Sequence, residues 1–100
     1  MYYVIRKSTN IRKGVPFEMS YRVMDECENL KDALHWVDFY GKITHDSCKS
    51  IMEAFYTDSS KYKLELIKSG KDEDYTNKVM LETKNETAIS LFYISRNRPV

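Results

Sequence analysis

From Phe17 to Val23 the residues Phe17, Met19, Tyr21 and Val23 alternate with Glu18, Ser20 and Arg22. A period of two is the mark of a strand with one face on a core and the other in water. Tyr2 to Lys7 is β-branched and aromatic and predicts another strand. The basic segment Ser8 to Pro16, closed by Gly14-Val15-Pro16, reads as the loop joining the two in a hairpin. Lys61 to Lys68 alternates again, with Tyr62, Leu64 and Leu66 against Lys63 and Glu65. Ser69 to Asn77 reads as a polar loop. Two strands follow, Lys78 to Thr83 and Thr87 to Ser95, with a short turn at Lys84-Asn85-Glu86. The last is apolar on both faces, with Ile89, Leu91 and Tyr93 on one and Ala88, Phe92 and Ile94 on the other, which places it centrally in a sheet.

Between these strands the spacing becomes helical. Leu30, Ala33, Leu34 and Val37 fall at i, i+3, i+4 and i+7, Asn29 suits the N-cap, and Asp32 suits the first turn. Gly41 reads as a left-handed stop, so the expected helix spans 30–40. A second helix is expected after Gly41-Lys42-Ile43, capped by Thr44, with Cys48, Ile51, Met52 and Phe55 as its apolar stripe and Ile43 stapled to Cys48. The break Thr57-Asp58-Ser59-Ser60 ends it. The expected fold is therefore α+β, a mostly antiparallel sheet of about five strands in the order β-β-α-α-β-β-β, packed on an α-helical hairpin. With 100 residues and no repeat, residues 1–100 form one domain with one core.

Composition narrows the class. Apolar residues make up 42% of the chain and charged residues 31%, with three glycines and two prolines, which fits a folded globular chain rather than a disordered or collagen-like one. The first residues lack the order of a secretory signal, and Leu91-Phe92-Tyr93-Ile94 is far shorter than a membrane span. Two cysteines, Cys27 and Cys48, are few for a secreted domain of this size, so reduced thiols and a cytoplasmic location are expected, with no membrane partner. The net charge of +1 conceals an uneven spread: residues 1–24 are basic, 25–60 acidic and 61–100 weakly basic.

Candidate chemistry is sparse. Gly14, Gly41 and Gly70 are isolated, which excludes glycine-rich phosphate loops. Cys27, His35, His45 and Cys48 have neither the paired spacing of a structural zinc site nor a nucleophile signature around them. Asp32, His35 and Asp38 read as a solvated helix face, and Asp72-Glu73-Asp74 lacks the alternating ligands of a calcium loop. No enzyme activity, cofactor or metal is expected.

Two binding readings remain. On the first helix Trp36, Phe39 and Tyr40 carry the apolar surface beyond the core stripe, and Phe39 falls between Asp32 and His35 on the polar side. Aromatic anchors ringed by polar residues are typical of protein interfaces, so these three are the candidate partner-binding or self-association residues. The alternative is single-stranded nucleic acid, bound on a basic, tyrosine-rich sheet face made by Tyr3, Arg6, Arg12, Lys13, Tyr93, Arg96 and Arg98. The strand order and aromatic signature of the common RNA-recognition module are absent. A compact chain rich in lysine, asparagine, tyrosine, isoleucine and aspartate resembles, in composition alone, small accessory proteins of phages and other mobile elements. That resemblance implies a stoichiometric role: binding a host protein and inhibiting or redirecting it.

Overall fold

The computed structural model describes residues 1–98. Its elements are β1 (Tyr2–Arg12), β2 (Val15–Cys27), α1 (Leu30–Phe55), β3 (Tyr62–Ser69), β4 (Thr76–Thr83) and β5 (Glu86–Ser95), with 3-10 turns at Ser59–Lys61 and Asp72–Asp74. The strands form a single antiparallel sheet in the order β2-β1-β5-β4-β3, with β5 at its centre as its two apolar faces predict.

The hairpin of β1 and β2 is longer than expected. The segment 8–16 is mostly strand, and the turn is only Lys13-Gly14, both at positive φ (52° and 78°), the backbone of a tight two-residue hairpin. The reason is a partner invisible to local pattern: β1 pairs with β5 as far as Arg12, and Arg12 meets Glu86 at 2.7 Å.

The expected helical hairpin is not formed. One helix of 26 residues runs through Gly41, Lys42, Ile43 and Thr44, so Gly41 stops nothing and Thr44 caps nothing. Asn29 does cap the start, its side chain accepting a hydrogen bond from the Asp32 amide at 2.9 Å. Part of the second predicted stripe is in phase with the first, since Val37, Gly41, Cys48 and Met52 recur at multiples of the helical turn, whereas Ile51 and Phe55, expected on the same stripe, are exposed. Gly41 is fully inside because the helix crosses the sheet there at close range. A Cβ on it would stand 2.4 Å from Asn77 Oδ1 and 2.8 Å from Asn77 Cβ.

Alternation along the strands sends Val4, Phe92, Ile94 and Val79 toward α1, where with Cys27, Ala33 and Val37 they form the buried core. Leu30, Leu34, Leu64, Leu66 and Tyr75 pack around it. Among the described residues the core also holds one fully buried polar side chain, Asn77. Its amide donates to Asp38 Oδ1 at 3.1 Å, the Tyr75 hydroxyl donates to the same oxygen, and Lys68 lies 3.4 Å away. This cluster ties the middle of α1 to β3 and β4.

Burial alone would raise the pKa of Asp38, but the hydrogen bonds from Tyr75 and Asn77 and the charge of Lys68 outweigh it and hold the carboxyl below its ordinary value. A depressed folded-state pKa adds stability that is present above the unfolded value, about 3.9 for aspartate, and lost as pH falls through the folded one. The wild-type advantage over Asp38→Asn should therefore be full near neutrality and shrink below about pH 4, as read by urea unfolding at a series of pH values.

Candidate functional site

With α1 on one side of the sheet, no described helix or strand lies on the other. The register lays out that bare face in rows. Val23, Ile5 and Tyr93 stand side by side; next come Tyr21, Lys7, Leu91, Lys78 and Ile67; then Met19, Thr9, Ile89, Met80 and Glu65. An antiparallel sheet with one solvated face ordinarily shows polar residues there. Here the central strand shows Ile89, Leu91 and Tyr93. Ile5 is completely buried on this side. Met19 and Tyr21 are half exposed.

Charge on the face is ordered. Lys7 and Lys78 flank Leu91, and neither has a salt-bridge partner among the described residues. Lys7 Nζ lies 5.7 Å from the Tyr21 ring centre, within cation–π range. The turn Asp72–Asp74 borders one end, leaving a cleft of about 370 Å³ lined by Lys7, Tyr21, Glu73, Asp74, Leu91 and Tyr93. Burial, aided by the neighbouring Tyr21, holds the Tyr93 hydroxyl above its ordinary pKa, so it is a neutral hydrogen-bond donor near pH 7.

The helix aromatics separate into two kinds. Tyr40 is anchored: its ring stacks 6.3 Å from Phe92, and its hydroxyl donates to the Met24 carbonyl at 3.2 Å. Trp36 is half-buried against the core and meets Phe39 edge-on at 5.1 Å. Phe39 alone of the three is exposed, at 42%, with His35 stacked 6.5 Å away. The exposed apolar line continues along α1 to Ile43 and Ile51.

The residues of the nucleic-acid reading do not converge. Tyr3 and Tyr93 share the bare face, whereas Arg6 and Arg12 alternate onto the helix side and Lys13 sits in the hairpin turn. Three of the arginines are already paired, Arg12 with Glu86, Arg96 with Glu73 and Arg98 with Glu26. Arg96 and Arg98 also lie over the rings of Tyr2 and Tyr3. Lys7, Tyr21, Lys78, Met80, Ile89 and Leu91 were not singled out from sequence. The signal was there: strands apolar on both faces need two covering layers, and one helical layer supplies one.

Among the described residues no three His, Cys, Asp or Glu side chains come together as metal ligands. Cys27 is buried at the end of β2 and Cys48 half-buried on α1, and both are free thiols. Burial raises both pKa values, helped at Cys27 by Asp25 and Asp32 and opposed at Cys48 by Arg6. The thiolate is the reactive form, so both thiols should react slowly with Ellman's reagent at pH 7 and at once in denaturant. No described helix is long and apolar enough to cross a membrane. No family model matches the chain, and no curated protein or solved structure resembles it closely enough to count as a match.

Proposed function

We propose that this is a non-enzymatic protein-binding module whose working surface is the bare face of its sheet, and that it acts stoichiometrically, inhibiting or redirecting the protein it binds. One observation carries the reading: the outward side of the central strand, Ile89, Leu91 and Tyr93, is apolar and only partly buried, with no described helix or strand packed over it. Burying such a surface drives protein association. The unpaired Lys7 and Lys78 beside Leu91 fit a partner segment that is apolar at its centre and acidic at its margins. Phe39, Ile43 and Ile51 offer a smaller second surface on the outside of α1. The compositional likeness to phage accessory proteins favours a host-cell protein as the partner.

The decisive substitution is Leu91→Glu. It places a carboxylate between Lys7 and Lys78, which preserves the fold by pairing while it removes the apolar centre and cancels the charge. Partner capture from an extract of the source cells should fall about tenfold or more, the loss expected of an interface centre, and Phe39→Ala should lower it less. The reverse ranking would move the site to α1. The tyrosines and lysines of the same face also keep nucleic acid in view. Tight binding of single-stranded oligonucleotides at physiological salt, with no protein captured, would replace this proposal by that one.

A further inference from the structure

We propose that the chain forms a two-fold dimer in which the free edge of β2 pairs antiparallel with the same edge of a second copy, joining two sheets into one of ten strands. This goes beyond the bare-face reading and does not depend on it, because it uses the edge of the sheet rather than its surface.

β2 is an outer strand, paired with β1 alone. An outer strand offers a row of unpaired N–H and C=O groups to any other strand, and native proteins usually blunt it with lysines, prolines or bulges. The opposite edge is blunted in this way: β3 carries Lys63 and Lys68, and the 3-10 turn Ser59–Lys61 stands at its start. β2 is different. Its register with β1 shifts near each end, opposite Val4/Ile5 and Asn10/Ile11, but from Glu18 to Val23 the ladder is regular. That stretch has no lysine or proline, and every residue from Val15 to Arg22 is exposed.

The sequence of this stretch is complementary to itself. Antiparallel pairing of Glu18-Met19-Ser20-Tyr21-Arg22 about a two-fold axis at Ser20 sets Glu18 opposite the second copy's Arg22, and by symmetry Arg22 opposite the second copy's Glu18. Glu18, Ser20 and Arg22 lie on the same side as Asn10, Ser8 and Arg6, and Met19 and Tyr21 lie on the bare face. The two ion pairs therefore form on one side of the joint. On the other, Met19 of each copy meets Tyr21 of the second, a pairing already made within one chain, where the Tyr21 hydroxyl is 3.9 Å from Met19 sulfur. Within the chain Glu18 accepts only a 3.3 Å hydrogen bond from Asn10, and Arg22 has no salt-bridge partner among the described residues. Moving the axis to Met19 or Tyr21 loses both ion pairs, so charge fixes the register. Opposite charges directly across a ladder stabilise it and like charges destabilise it. In an isologous contact each substitution acts twice.

Sedimentation equilibrium from micromolar to near-millimolar protein tests this. The wild type should sediment as a dimer at the upper end. Glu18→Lys and Arg22→Glu should each weaken dimerisation about tenfold or more, because each turns two attractive pairs into repulsive ones. The double variant Glu18→Lys/Arg22→Glu restores both pairs with reversed sign and should recover the dimer, which no folding defect would do. Ser20→Cys should cross-link under mild oxidation to a covalent dimer that the wild type does not form. A monomer at every concentration, or a dimer indifferent to both charge reversals, overturns the proposal.

Discussion

Gly41→Val should destabilise the protein by about 3 kcal/mol, although on intrinsic helix propensity the change is favourable by a few tenths. Propensity sees only a glycine in the middle of a 26-residue helix, where almost any side chain is better. Packing sees a different position. The site a Cβ would take is occupied by the side chain of Asn77, fully buried and hydrogen-bonded to Asp38. A valine must push Asn77 aside or lift α1 from β4. The first breaks the bond to Asp38 and strands a buried amide, costing about 1–3 kcal/mol; the second opens the core around Val37 and Val79. Gly41→Ala orders the explanations. If the glycine merely weakened the helix, alanine would stabilise by about 1 kcal/mol; with 2.4 Å available, alanine should destabilise. Urea unfolding of the two variants decides the sign.

The same glycine marks the limit of what the sequence showed. Gly41 followed by Lys42 and Ile43, then a good N-cap in Thr44, has the local chemistry of a helix end and a new start. Nothing within ten residues reveals that Asn77, far along the chain, needs the space. The long strand β1 was hidden for the same reason, since Ser8, Asn10 and Arg12 look like loop until β5 lies beside them. What was legible depended on local periodicity: the existence of strand β2, the N-cap at Asn29, the central place of β5 and the α+β class. The face of β2 was misassigned, because Met19 and Tyr21 turn away from α1 and, like Phe17, stay about half exposed rather than meeting the core. Of the candidate binding residues, Phe39 is exposed, whereas Trp36 and Tyr40 are tied to the core. The bare face was written in Met80, Ile89 and Leu91 as apolar residues on both sides of neighbouring strands, but seeing it required knowing that α1 is one continuous helix on one side of the sheet.

Neighbours on β5 should separate folding from binding. Phe92 points toward α1, is fully buried, and lies under Tyr40 at 6.3 Å and the Arg6 guanidinium at 5.6 Å. Phe92→Ala should cost about 3–5 kcal/mol, the range for truncating a buried phenylalanine, and a domain of this size has total stability of only about 5–15 kcal/mol. The variant should be near its unfolding limit at 37 °C. Leu91, one residue earlier, points the other way and is partly exposed between Lys7 and Lys78. Leu91→Ala removes apolar surface that the isolated chain only half buries, so its cost in stability should be about 1–2 kcal/mol, below the range for a fully buried leucine. If the bare face is the binding surface, that variant should lose affinity for the captured partner about tenfold or more while its unfolding midpoint moves far less than that of Phe92→Ala. The pair must be read together. Equal and large stability losses would mean that the outward side of β5 is core in the free protein. A small loss with binding untouched would mean that the face, though apolar and open, is not where the partner sits.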